Sequence, residues 1–140
     1  MLVEADYQKL LGFRDGIRRF LRWSEDQAAS VGLTPVQHQL LLAIRGHATG
    51  RDPTIGELAD HLQLQQHSIV GLVNRAEGAG LVSRWSDPDD KRVVRVTLTS
   101  DGRHRLERLS AAHLEELRRL SPGFRRLWID LENAPTTGRQ

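Results

Sequence analysis

The chain has 140 residues, enough for one domain with its own hydrophobic core, although at this size association with a second chain often adds burial. Lys and Arg number 20 against 18 Asp and Glu, a formal charge of +2, so any basic footprint for a polyanion must be local. The absence of cysteine excludes thiol redox chemistry and thiolate metal sites, and apart from Lys9 and Lys91 the positive charge is all arginine. The start, Met1-Leu-Val-Glu-Ala-Asp6, lacks the basic and apolar regions of a signal peptide, and the longest apolar run, Leu40 to Ile44, is too short to span a bilayer. A cytoplasmic protein without a membrane partner is expected.

From residue 6 to residue 30, Leu10, Phe13, Ile17, Phe20, Leu21 and Ala28 recur at helical spacing with Arg14, Arg18, Arg19 and Arg22 between them. This predicts a long amphipathic helix, broken by Gly32. Thr34-Pro-Val-Gln37 combines a cap, a proline in the first turn and a capping glutamine, opening a helix that carries Val36, Leu40, Leu41, Ala43 and Ile44 to near Gly46. Thr54 and Glu57 form a second capping box for a short helix with Ile55, Leu58, Ala59 and Leu62 inward. Ile69, Leu72, Val73 and Ala76 then mark the inner stripe of another helix, closed by Gly78 and Gly80. Two short helices so joined read as a helix-turn-helix.

Val82 and Arg84 run into the turn Asp87-Pro-Asp-Asp-Lys91, and the chain returns with Val94, Val96 and Leu98 alternating with Val93, Arg95 and Thr97. That period of two predicts a hairpin with a charged tip, which is a wing. Beyond it Thr99 should cap a helix with Leu106, Leu109, Leu114, Leu117 and Leu120, and Ser121-Pro122 should start a last one with Phe124, Leu127, Trp128 and Leu131. The tail from Pro135 is polar and expected to be loose. The fold class is mainly α with a small β-wing: a winged helix-turn-helix lobe, residues 33–99, flanked by helices over 6–30 and 100–134, within a single domain spanning 1–140.

The run Thr54-Ile-Gly-Glu-Leu-Ala59, the Val73-Asn-Arg-Ala-Glu77 pattern with Gly80-Leu-Val82, the wing Asp87-Pro-Asp-Asp-Lys-Arg92 and the exit Leu98-Thr-Ser-Asp-Gly102 together resemble the MarR family of bacterial transcriptional regulators. The resemblance lies in the ordered set and covers nearly the whole chain. It implies that the terminal helices interleave with those of a second chain, where the residues alone would equally allow Phe124, Trp128 and Leu131 to fold back within one chain. A two-fold dimer would present two reading helices one duplex turn apart.

On the helix with the Ile69-Leu72-Val73-Ala76 stripe, the opposite face is His67, Gly71 and Asn74, flanked by Ser68, Val70 and Arg75, with Gln65 and Gln66 protruding at its start. A glutamine amide offers a donor and an acceptor together, which suits an adenine edge in the major groove, and Arg75 is better placed for a phosphate or an internal carboxylate. Two positions depart from the family: a larger polar or basic residue is common where Gly71 stands, and Asp where Asn74 stands. Either DNA approaches closely at Gly71 or a base contact has been given up there. Between Thr54 and Val82 the acids Glu57, Asp60 and Glu77 outnumber Arg75, so the hairpin, with Arg84, Lys91, Arg92 and Arg95, must supply the positive charge. By resemblance Arg92 enters the minor groove with Asp90 orienting it, and arginine is attracted to narrow minor grooves. Amides at the helix starts near Thr34 and Thr54 are candidates for phosphate contact.

The resemblance also implies an effector cleft, lined here by Phe13, Ile17, Phe20, Trp23, His38 and Leu42, for a small aromatic ligand. His104 and His113 are nine residues apart, as are His38 and His47, so no metal or other cofactor is expected. No nucleophile setting or phosphate loop suggests an enzyme. The function expected is a homodimeric, sequence-specific double-stranded DNA-binding transcriptional regulator on a pseudo-palindromic operator, most often a repressor. The alternative is a winged-helix protein–protein interaction module without an operator.

Overall fold

The computed structural model describes residues 1–134. Five helices and a two-stranded antiparallel sheet follow one another: α1 (Glu4–Ser30), α2 (Pro35–Gly46), α3 (Ile55–Leu62), α4 (Gln66–Gly78), β1 (Val82–Ser86), β2 (Val94–Leu98) and α5 (Ser100–Glu132). Among these residues no helix is long and apolar enough to cross a membrane. The loose tail expected from residue 135 lies outside the described residues.

The chain forms two compact units, Gln27–Ser110 and a second made of Met1–Asp26 with the chain from Ala111 onward. The division falls inside α1 and α5, so Ala28, Leu106 and Leu109, on helices expected to flank the winged lobe, are part of its core. That core also takes in Leu40, Leu41, Leu58, Ile69, Leu72, Val73, Leu81 and Val96. Both capping boxes form. Thr34 Oγ1 accepts from the Gln37 amide at 3.2 Å and Thr54 Oγ1 from the Glu57 amide at 3.1 Å, with the Gln37 and Glu57 side chains accepting in return from the threonine amides. Gln63 makes the turn from α3 to α4 in the left-handed region, φ 54°. Gly80, at φ 76°, lets the Leu81 amide reach back to the Ala76 carbonyl and end α4.

The hairpin pairs Val82 with Leu98 and Ser86 with Val94. Its outer strand has a further neighbour that strand periodicity does not reveal. The Val96 amide donates to the Pro53 carbonyl at 3.0 Å, and Thr54 bridges to Arg95, so the loop entering α3 is tied to β2. Thr99 caps α5, accepting from the Gly102 amide at 3.1 Å while its hydroxyl donates to the Gly80 carbonyl at 2.6 Å.

One expectation is corrected. No new helix starts at Ser121-Pro122; α5 runs through Pro122 to Glu132. The missing proline N–H leaves the Arg118 carbonyl without its usual donor, but that turn is exposed and the flanking Leu and Arg residues favour helix, so water can take the carbonyl.

In the unit made of the two helix ends, none of the described residues is buried. Phe20 and Trp23 stack at 5.9 Å and both meet the His113 ring, whose Nε2 lies 2.6 Å from Ser24 Oγ. Phe13 lines a shallow cleft with Leu120, Phe124 and Leu127. Large apolar side chains stay open, Trp128 at 62 % and Leu114 at 54 %, with Leu10, Leu21, Leu117, Phe124 and Leu131. The single chain therefore does not fold Phe124, Trp128 and Leu131 back into a core of its own.

Gly102 is buried, and a Cβ there would stand 2.1 Å from the Leu81 carbonyl oxygen, which is backbone and already accepts the Thr99 amide. Gly102→Ala is expected to destabilise the fold by about 1–3 kcal/mol, lowering the melting temperature by more than about 3 °C. An unchanged thermal melt would show that the α5 start does not press on Leu81.

Candidate nucleic-acid interface

The α4 stripe Ile69, Leu72, Val73 and Ala76 is buried, which fixes what the helix turns outward. Gln65, Gln66, His67, Asn74 and Arg75 are exposed, and Ser68 and Gly71 are half-buried. Val70, expected on the flank of the reading face, packs partly against the core. Gln65 is the N-cap residue but makes no side-chain capping bond, so its amide stays on the surface.

Arg75 leans over Gly71. A Cβ built at Gly71 would stand 3.0 Å from Arg75 Nη1 and 3.8 Å from its Cζ and Nη2. Side chains on a helix point toward its N-terminus, so a residue four positions on naturally covers this spot. On the same helix Glu77 is held by Arg84: Oε2 accepts the Arg84 amide at 3.0 Å and Oε1 its Nη2 at 3.1 Å. The Arg84 backbone N–H first, and then its guanidinium, hold the Glu77 carboxyl below its ordinary value. Arg84, one of the expected DNA-contacting residues, thus arrives at the surface already paired.

The wing tip is ordered by two aspartates. At its exposed end Arg92 donates through Nε to Asp90 Oδ1 at 3.0 Å and through Nη2 to Oδ2 at 3.1 Å, and the Arg92 amide donates to Oδ1 at 3.1 Å. These bonds lower the Asp90 pKa and raise that of Arg92. The Arg92 side chain is nevertheless 90 % exposed: a carboxylate fixes its direction while leaving it open to solvent. Lys91 is exposed beside it.

At the inner end Asp87 is only 6 % exposed. It accepts from Arg95 Nε at 2.7 Å and from the Asp89 amide at 2.8 Å, while Arg95 Nη1 donates to the Asp52 carbonyl at 2.7 Å. The Trp85 indole donates to the Asp52 carboxylate at 3.0 Å. Arg95, counted from sequence among the charges of the wing, is therefore an internal strut joining tip, outer strand and the loop before α3. Sequence reasoning missed Asp87, Asp52 and Trp85 because their partners lie up to 43 residues away; no local pattern reports such pairs.

Thr34 and Thr54 direct their hydroxyls into the capping boxes, leaving the amides of Val36, Ile55 and Gly56 without intrahelical partners. A second long-range cluster steadies α3. His47 at the end of α2 places Nδ1 3.0 Å from His61 Nε2 and Nε2 2.5 Å from Glu57 Oε2. Among the described residues no three His or carboxylate groups are arranged to hold a metal ion. Of the expected effector-cleft residues, Phe13, Ile17, Phe20 and Trp23 belong to the helix-end unit, with Phe20 and Trp23 packed on His113. His38 and Leu42 belong to the winged lobe, His38 buried and Leu42 exposed.

The Arg95 guanidinium first, and then the Asp89 amide, hold the Asp87 carboxyl below its ordinary value. A carboxyl whose folded pKa is depressed contributes stability that is complete above the unfolded value and is lost as pH falls through the folded one. The melting-temperature gap between the parent and Asp87→Asn should be constant from pH 8 to about pH 5 and narrow below about pH 4. A gap unchanged down to pH 3 would exclude the ionised strut.

A sequence profile of the MarR family matches residues 31–93. The chain is 34 % identical over 73 residues to the transcriptional activatory protein BadR of Rhodopseudomonas palustris, an alignment covering 52 % of this chain and 42 % of BadR. The chain spans about half the length of the curated relatives it matches. Its fold is similar to that of the MarR family transcription regulator SP03579, with a TM-score of 0.76 at 21 % identity over 92 % of this chain and 89 % of that one. It is also similar to Staphylococcus aureus MepR in a complex with DNA, with a TM-score of 0.69 at 19 % identity over 88 % and 85 % of the two chains. In sequence, residues 31–93 are therefore similar to the MarR family of transcriptional regulators.

Proposed function

We propose that this protein is a sequence-specific, double-stranded DNA-binding transcriptional regulator, with α4 in the major groove and the Arg92 tip in the adjacent minor groove. The observation that carries this reading is the pairing of two surfaces within the winged lobe. One is an α4 face whose exposed side chains are polar or basic and include no carboxylate; the other is an exposed arginine aimed by its own aspartate. MepR, whose fold is similar, has been solved in a complex with DNA, and BadR is a transcriptional activatory protein.

The finer reading is a homodimer on a pseudo-palindromic operator with half-sites centred about 10 bp apart. The open apolar side chains of α1 and α5 support it: a run that includes Trp128, Leu114, Leu117 and Leu131 is costly to leave in water and fits a second copy. Bound across a promoter, such a dimer represses by occlusion, and a small aromatic effector releases it. The Phe20–Trp23–His113 cluster is the aromatic surface that would respond, and its tryptophan gives a fluorescence readout for a panel of phenolic acids.

Arg92→Ala should weaken binding to the operator by more than tenfold while shifting the melting temperature by less than about 2 °C, because the side chain is exposed and bonded only within the tip. Titration of parent and variant on the DNA flanking the coding region, at several salt concentrations, checks this. Parent binding should fall steeply with salt. Equal affinity of the two proteins would remove the wing from the mechanism. Salt-insensitive capture of another protein, with no duplex bound, would favour an interaction module instead.

A further inference from the structure

We propose that Gly71 and Arg75 act as one base-reading unit, in which the bare helix surface at Gly71 seats the Arg75 guanidinium in the middle of the reading face, where it selects a guanine. This deepens, and rests on, the placement of α4 in the major groove.

The geometry leaves the guanidinium few other roles. Its Nη1 lies 3.0 Å from the point where a side chain at position 71 would begin, and its Cζ and Nη2 lie 3.8 Å from it. A Cβ at 71 meets that group at 3.0 Å, so the guanidinium would have to give by a few tenths of an ångström, and a longer side chain there would compete with it for the same surface. Glu77, two residues on, stands on another face of the helix and has both oxygens bonded to Arg84. Position 74 carries Asn, and among the described residues no carboxylate stands on the exposed face of that turn of α4. An exposed guanidinium held against a helix, without a carboxylate, is a fork of donors looking for two acceptors. In the major groove guanine presents O6 and N7 side by side, whereas adenine offers N7 beside a donor. Glycine at 71 therefore moves a base contact four residues along the helix.

The test uses the intact protein and its footprinted operator. Affinities are measured at one salt concentration for the operator, for duplexes with each base pair replaced in turn, and for a random duplex. The proteins are the parent, Arg75→Ala, Arg75→Lys and Gly71→Leu. The parent should lose roughly 5- to 150-fold on replacing one G·C pair per half-site. Arg75→Ala should be indifferent to that pair yet bind the random duplex within about twofold of the parent, with its salt dependence unchanged. Gly71→Leu keeps Arg75 and replaces glycine with a stronger helix former, so its melting temperature should not fall, yet it should lose the same preference. Arg75→Lys should recover charge without the two-pronged selection.

Equal losses by Arg75→Ala on specific and random duplexes, with a salt slope smaller by about one, would make Arg75 a phosphate contact and overturn the assignment. Retention of the G·C preference by Gly71→Leu would overturn the seat. A parent that selects no duplex at all would remove the DNA reading itself, an outcome distinct from a parent that selects an operator and an Arg75→Ala variant that keeps every preference.

Discussion

The pair between the buried Asp87 and the half-buried Arg95 is the constraint on which the winged lobe depends. A hairpin of five-residue strands is marginal alone, and a charged tip would normally wander in solvent. Here the carboxylate of the tip, the guanidinium of the outer strand and the carbonyl of Asp52 form one chain of short bonds, and Trp85 adds a second link to Asp52. The loop carrying Asp52 and Pro53 leads straight into the Thr54 capping box, so the direction of the wing and the start of α3 are set together. The same bonds explain why the lobe can carry arginines at two depths with opposite roles. Arg95 is neutralised and structural; Arg92, three residues earlier, is oriented by Asp90 and left in water.

The order of elements was legible because each is announced locally. Thr34-Pro-Val-Gln37 and Thr54-Ile-Gly-Glu57 are complete capping boxes, the Ile69 to Ala76 stripe fixes the phase of α4, and the alternation from Val94 to Leu98 gives the return strand. The outward face of α4 follows from that phase, and Gln65, Gln66, His67, Asn74 and Arg75 are exposed on it. Chemistry joined across sequence was not legible. Nothing near Asp87 announces that it is buried, nothing near His47 announces Glu57 and His61, and Arg84 gives no hint that Glu77 holds it. Pro122 misled for a related reason: it is a strong local stop signal, yet on an exposed turn the lost hydrogen bond can be made good by water.

Gly71 shows how a residue with no side chain can carry information. From sequence it read as an absence, a lost contact or a close approach. In the fold the guanidinium of Arg75 lies over that bare surface, its Nη1 3.0 Å from where a Cβ would stand. The two long helices make a related point on a larger scale. Inside the winged lobe Ala28, Leu106 and Leu109 are buried, whereas the same two helices, once outside it, leave Leu10, Leu114 and Trp128 open. One amphipathic pattern thus serves two different burials, and the exposed stretch is the part that a second chain would cover.

The central claim is that α4 and the Arg92 tip meet one half-site together, from adjacent grooves. Because the chain has no cysteine, single cysteines introduced at Gln66 and at Lys91 can each carry a tethered iron chelate that cuts DNA nearby. The probe at Lys91 should cut both strands in the minor groove at the outer edge of each half-site, and the probe at Gln66 should cut within the half-site itself. Cutting from Gln66 with none from Lys91, or uniform cutting along the duplex from both positions, would contradict it.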